Sequence, residues 1–268
     1  MSLVQEDSAT GEASGTVLRL RRSHQAAIRR ALYEILLVAV LFMAYKIGRV
    51  AAAGHVGAAL DNAQHVWHLE RLLGLPSERW LQQQFLGHEW LVWIANRYYA
   101  YVHFPATTAC LVWLYVRRRR HYLRVRRLLA WLTAAALAVH LLMPLAPPRM
   151  LGTVGMIDTG RVFGPAVYGP PDADTLTNQF AAMPSLHFGW ALAVAIALIG
   201  AFRGRWRWLW LAHPAVTLVV IVVTGNHYWL DALVAAGLLG AVAWSLSLSA
   251  PQPGAPRIPR QRVESAPG

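Results

Sequence analysis

The stretch MPSLHFGWALAVAIALIG, residues 183–200, decides what kind of protein this is. It carries no charged residue, and the next charge after it is Arg203. Such a run belongs in a buried core or a membrane, and His187 sits at its mouth, three residues after Pro184. The whole chain favours the membrane. Of its 268 residues 56% are hydrophobic and 14% charged, with 12 Trp and a mean hydropathy of +0.35. A soluble domain of this length needs far more polar surface.

Working outward, further apolar segments of about the ~20 residues that cross a bilayer can be marked. The spans expected are 31–48, 89–116, 128–146, 185–202, 208–225 and 229–248. The fold expected is therefore all-α, an integral membrane bundle of six transmembrane helices. Between the first two, VWHLERLLGLPSERWLQQQFLG has helical apolar spacing with charges opposite. It reads as one or two short interfacial helices broken at Pro76 and Ser77. Residues 1–30 and 249–268 are expected to be disordered cytoplasmic tails, with 31–248 the single membrane domain. A cleaved signal peptide fits poorly, because the polar stretch before the first apolar run is long and Glu34 and Lys46 enter it.

The formal charge is +12, and its distribution explains it. Arginine clusters fall in the N-terminal tail, in residues 117–127, in 203–207 and in the C-terminal tail, and together hold 18 of the 25 basic residues. Six spans put all four on one side, which the positive-inside rule makes cytoplasmic. The charge is then topological, and nucleic acid is not expected as a partner. Lys46 is the only lysine, a composition in keeping with a GC-rich bacterial genome, so the plasma membrane of a bacterium is the expected location. Cys110 is the only cysteine, which excludes an intrachain disulfide and a cysteine-based zinc site.

With that topology the unusual polar residues gather at the extracytoplasmic helix ends. Arg149 follows the third span, His187 opens the fourth, and His227 and Asp231 open the sixth. Ionisable groups at membrane depth are costly and are functional candidates by default. His227 and Asp231 are spaced i, i+4 and share a helix face. The aspartate can fix the tautomer of the imidazole and leave its other nitrogen as nucleophile or base. His187 can act as general acid for a leaving group. Arg149 offers a fork of donors suited to phosphate oxygens. With Pro184 in the first turn, the amides of Ser185, Leu186 and His187 are expected to point out of a helix N-terminus as an anion cradle. A nucleophile with its orienter, an acid, a cation and a cradle suit phosphoryl transfer through a phosphohistidine. The plainer alternatives are helix-capping histidines, or metal ligation by His227 and Asp231, for which no third ligand stands at helical spacing. His55, His65, His68 and His88 read as polar-face residues. His140 reads as a histidine bonded to a neighbouring helix.

These residues resemble the type 2 phosphatidic acid phosphatase superfamily, the lipid phosphatases and phosphotransferases. PSLH at 184–187 is similar to its second motif, His227 followed by Asp231 to its third, and APPR at 146–149 to the end of its first. The wording PPR…MPSLHFGW…NHYWLD looks most like the inositol phosphorylceramide synthase (inositolphosphotransferase-like) branch. The resemblance implies that His227 becomes phosphorylated, Asp231 orients it, and His187 protonates the leaving oxygen. It implies that Arg149 holds phosphate with help from Ser185, and that neither metal nor cofactor is needed. Two family cations are missing: Leu142 stands where many members have lysine, and Ile221 where many have arginine. Asn226, or Asn96, Tyr99 and His103 of the second span, are candidates to fill that gap. The expected substrate is a lipid phosphate or phospholipid in the bilayer. Hydrolysis and transfer to a lipid hydroxyl both stay open, as do a transporter or flippase and an inactive lipid-binding relative. The long Gly- and Pro-rich stretch 150–182, with Asp158, Arg161, Asp172 and Asp174, is expected to roof the site.

Overall fold

A computed structural model of the chain describes residues 56–167, 169 and 179–248, with scattered residues between 25 and 46. The C-terminal tail, most of the expected N-terminal tail, His55, Asp172 and Asp174 lie outside the described residues. So does part of the expected first span, although its described residues are helical. Gln25, Ile28 and Arg29, expected in the disordered N-terminal tail, are helical too. Among the described residues the protein is all-helical, and its one strand-like feature is an isolated parallel bridge between Leu145 and Ala181.

Two helices precede the apolar bundle. α1 (Val56–Leu72) and α2 (Glu78–Leu86) meet at an elbow over Pro76, and Ser77 caps α2 by accepting from the Trp80 amide at 3.3 Å. The helices expected at the membrane interface thus exist, with the break where Pro76 and Ser77 stand. α3 (Glu89–Tyr101) and α4 (His103–Arg117) replace the expected continuous span at 89–116. Pro105 has no amide to give to the carbonyl four residues back, and its ring crowds that turn, so the path breaks at Val102.

α5 (Arg119–Leu142) begins nine residues before the apolar stretch expected at 128, because its arginines are good helix formers. A short helix α6 (Thr159–Phe163) interrupts the following loop, with the Asp158 side chain accepting from the Arg161 amide at 3.2 Å as its cap. α7 (Leu186–Ala201) is the deciding segment. It runs into a 3₁₀ stretch (Arg205–Leu211), α8 (Ala212–Val223) and α9 (Trp229–Leu248). Three of these segments are long and apolar enough to cross a bilayer: Arg119–Leu142, Arg205–Val223 and Trp229–Leu248. α7 is apolar but has 16 residues.

α7 lies at the centre, against α4, α5, α8 and α9. Its buried positions are small, among them Gly189, Ala191, Ala193, Ala195 and Ala197, which let neighbouring backbones approach closely. At Gly189 an added Cβ would stand 3.2 Å from a methyl of Leu132 on α5. Outward positions carry large apolar side chains, including Val112, Trp131, Ile196, Val216, Leu233 and Trp244. Leucine and tryptophan facing outward on long apolar helices mark a protein whose solvent is lipid. A separate apolar cluster joins α1 (Ala59, Ala63, Val66) to Leu145, Ala146, Met183 and Tyr228, so α1 lies across the ends of the bundle where the candidate residues emerge.

Candidate active site

Four stretches distant in sequence meet at that end, and backbone hydrogen bonds hold them together. The Leu145 amide donates to the Phe180 carbonyl (2.8 Å) and the Ala182 amide to Leu145 (3.2 Å). The Arg149 amide donates to Gly225 (3.1 Å), and the Ser185 amide to the main-chain carbonyl of Asp231 (3.1 Å). Each of the three sequence motifs is thereby pinned to another. Gly225 permits this with φ of +70°, and an added Cβ there would stand 3.1 Å from Cβ of Arg149.

His227 is buried in the turn between α8 and α9. Its Nδ1 faces two acceptors, the Ala182 carbonyl at 2.8 Å and Oδ2 of Asp231 at 3.1 Å. With acceptors on both contacts Nδ1 carries the proton, and Nε2 keeps its lone pair. Burial, and then the positive charge of Arg149, push the imidazole below its ordinary pKa and hold it neutral. Asp231 is fully buried, and the same Oδ2 accepts from the Tyr228 amide at 2.9 Å. The carboxylate is therefore oriented by its own helix start as well as by the histidine.

His187 lies in the first turn of α7, with its ring centroid 6.1 Å from that of His227. Tyr99 stacks on it at 4.4 Å and His103 lies at 4.6 Å, so α3 and α4 wall the ring in. Arg149 is almost fully buried. It donates through Nη1 to Oδ1 of Asn226, and its Nε pairs with Oδ2 of Asp158 at 3.3 Å.

The structure brings every candidate together and changes the part some of them play. Ser185 is fully buried and is the N-cap of α7, its hydroxyl accepting from the Phe188 amide at 3.4 Å. Its own amide is engaged with Asp231, so the expected cradle of three amides shrinks to those of Leu186 and His187, which have no partner among the described residues. Pro184, expected in the first turn, stands before the Ser185 cap, and the Ser185 amide ties α7 to α9. Asn226 orients Arg149 and donates to Thr224 Oγ1 at 2.8 Å. Asn96 donates to the carbonyls of Thr159 and Gly164 and accepts from the Thr159 hydroxyl at 2.8 Å, which makes it the anchor of the loop. Leu142 is exposed and Ile221 fully buried. His140 points Nε2 at the Pro184 carbonyl at 3.2 Å, as a histidine bonded to a neighbouring segment should.

Two residues of α1 and α2 were missed. Gln82 of α2 spans the loop and the end of α8: it donates to the carbonyls of Ile157 (3.0 Å) and Val223 (2.9 Å) and accepts from the Ile157 amide (2.9 Å). Glu70 of α1 accepts from the Leu230 amide at 2.8 Å, at the start of α9. Both sit in helices whose charges read as a solvated face.

The sequence profile of the PAP2 superfamily matches residues 64–245, about two thirds of the chain. This protein belongs to the PAP2 superfamily. That places it among phosphatase- and phosphotransferase-type lipid enzymes of the membrane. No curated protein and no solved structure matches the chain.

Proposed function

We propose that this protein moves the phosphoryl group of a lipid phosphate through a phosphohistidine on His227, within a six-span bundle whose site faces away from the cytoplasm. The observation that carries the reading is the geometry at His227. Two acceptors fix the proton on Nδ1 and leave Nε2 its lone pair, and the His187 ring lies 6.1 Å from that of His227, centroid to centroid.

In the first half-reaction Nε2 attacks phosphorus. The bond from phosphorus to the lipid oxygen breaks, and His187, as imidazolium, gives that oxygen its proton. The cation forming on His227 is met by Asp231. Arg149 holds the phosphoryl oxygens as charge shifts onto them. In the second half-reaction water or a lipid hydroxyl attacks the phosphohistidine, the Nε2–phosphorus bond breaks and His187 takes the attacking group's proton, which restores the His187 imidazolium and the neutral His227. If a hydroxyl-bearing head group stays on the phosphorus, the same steps transfer it to an acceptor lipid, as in the inositol phosphorylceramide synthase branch that the motifs resemble. Each step is complete with these side chains, so the reaction proposed needs no metal.

The test uses purified protein in detergent with excess EDTA. Labelled phosphatidic acid is one substrate, and phosphatidylinositol with ceramide or diacylglycerol is the other. Turnover in the wild type that disappears in His227→Ala is expected, and the labelled product tells water from lipid as acceptor. Undiminished turnover in His227→Ala, or none in the wild type on any of these lipids, would overturn the reading and favour a transporter or an inactive lipid-binding relative.

A further inference from the structure

The start of α9 carries both His227 and Asp231, and a buried acidic pair on the interfacial helices holds it. Glu70 and Glu78 are each fully buried, which is rare for carboxylates. They share one cation. Nη2 of Arg71 reaches both carboxylate oxygens of Glu78 at 3.1 and 3.3 Å, accounting for that charge, and lies 3.8 Å from Oε2 of Glu70. Oε1 of Glu70 accepts the Leu230 amide at 2.8 Å, while Oε2 has no hydrogen-bond donor among the described residues. One residue away, the Trp229 indole donates to the Pro76 carbonyl at 2.9 Å, so the α1–α2 elbow grips α9 at two neighbouring points.

A proton on Oε2 resolves the arrangement. As an acid, Glu70 can donate to Glu78, with which it is within hydrogen-bonding reach, and still accept from Leu230. As an anion it would add a second negative charge to the one Arg71 cation, beside the Glu78 carboxylate and near Asp231. The charged or titratable groups facing it are Glu78 from α2, Arg71 from its own helix, and Tyr228 and Asp231 from the turn and start of α9.

We infer that Glu70 is a positioning residue for the transfer chemistry: as a neutral acid bonded to Glu78 it caps the start of α9 and fixes the turn that aims His227 and Asp231. The inference rests on the reading of His227 as nucleophile. Burial first, and then the hydrogen bond and charge of Glu78, raise the Glu70 carboxyl to about 9. A carboxyl raised in this way contributes its full stability below its ordinary pKa of 4.5 and loses it as pH climbs through about 9.

Three forms of the full chain in detergent decide it: wild type, Glu70→Gln and Glu70→Ala. Gln keeps the acceptor for Leu230 and a donor toward Glu78 without titrating. On phosphatidic acid, Glu70→Gln is expected to keep kcat within about threefold, and its melting temperature should stay level from pH 7 to 9.5 where that of the wild type falls. Glu70→Ala is expected to lose tenfold or more in kcat with KM within twofold, since Glu70 touches no substrate. Infrared difference spectra between pH 7 and 10 should show a carboxylic-acid C=O band lost on titration in the wild type and absent in Glu70→Gln. That band does not depend on turnover. If it appears while no lipid is turned over, the phosphohistidine reading fails and the protonated cap stands. Absence of the band from the wild type, wild-type kcat in Glu70→Ala, or a Gln variant as impaired as the Ala variant would each overturn the inference.

Discussion

At the scale of single residues, the site is organised by which atom carries a proton and which charge has a partner. Asp231 is the clearest case. Its Oδ2 meets the Nδ1–H of His227, so Asn in its place can turn an NH₂ toward that proton and favour the wrong tautomer. Asp231→Asn should lower kcat by roughly 10³–10⁴-fold, the size of effect seen when the orienting aspartate of a catalytic histidine becomes an amide. A folded variant with kcat within tenfold of wild type would remove Asp231 from the mechanism. The depressed pKa of His227 has its own signature. The nucleophile is active when neutral, so the acid limb of kcat/KM should fall below the ~6.5 of an unperturbed histidine, with the alkaline limb reporting loss of the acid. An acid limb at or above pH 6.5 would contradict the burial-driven shift. Asp158 makes the opposite prediction. Its carboxylate sits against Arg149 at 3.3 Å and Arg161 at 3.6 Å, competing with a phosphate for the same guanidinium. Asp158→Asn should lower KM for phosphatidic acid about fivefold, close to the roughly 1 kcal/mol of a partly exposed ion pair. An unchanged or higher KM would show that the carboxylate only buttresses the arginine.

At the scale of elements, the site is a set of helix starts and turns that must sit in register. Gly225 is the tightest of these joints, because its positive φ turns α8 toward His227 while its carbonyl receives the Arg149 amide. Gly225→Ala places a methyl 3.1 Å from Cβ of Arg149 in a backbone conformation that alanine resists. The variant should lose tenfold or more in kcat/KM, and a variant fully active at wild-type stability would show that the first and third motifs need not touch. What the sequence could tell at this scale followed from local rules. The apolar run 229–248 became α9 with the bounds expected, because nothing interrupts its hydropathy. The run 89–116 became two helices, because a single proline outweighs a continuous apolar pattern. His227, Asp231, Arg149 and His187 were legible because polar groups are expensive where they stand. Glu70 and Gln82 were not, because a charged face on an interfacial helix looks the same whether it meets water or another helix. Their partners, Leu230 and Val223, lie 160 and 141 residues away. Ser185 was read as part of an anion cradle because the bond that withdraws its amide runs to Asp231 on another helix.

For the whole molecule, the open physical question is where the bilayer lies. The three described segments long enough to cross it are joined by helices that are shorter or kinked, and α7, the central one, has 16 residues. A 16-residue helix rises about 24 Å at 1.5 Å per residue, a few Å short of a hydrocarbon core of about 30 Å. It can serve as a span only if residues beyond its ends share the depth, and the site at its N-terminus then lies just inside one interface. The arginines at 117–120 and 203–207 flank the other ends of α5 and α7. On the six-span topology proposed above, the positive-inside rule would put His187 and His227 on the extracytoplasmic side and both termini in the cytoplasm. Cys110 is buried and is the only cysteine, so Cys110→Ala gives a background in which single cysteines report their side. In whole cells, cysteines introduced at Thr153 and Val167 should react with a membrane-impermeant maleimide before lysis. Cysteines at Arg118 and Gly204, and at either terminus, should react only after lysis. Labelling of the Arg118 or Gly204 position in intact cells would invert the topology and move the site to the cytoplasmic leaflet. Labelling of the two termini on opposite sides would instead show an odd number of spans, with the apolar segment 31–48 or the kinked pair α3–α4 failing to cross.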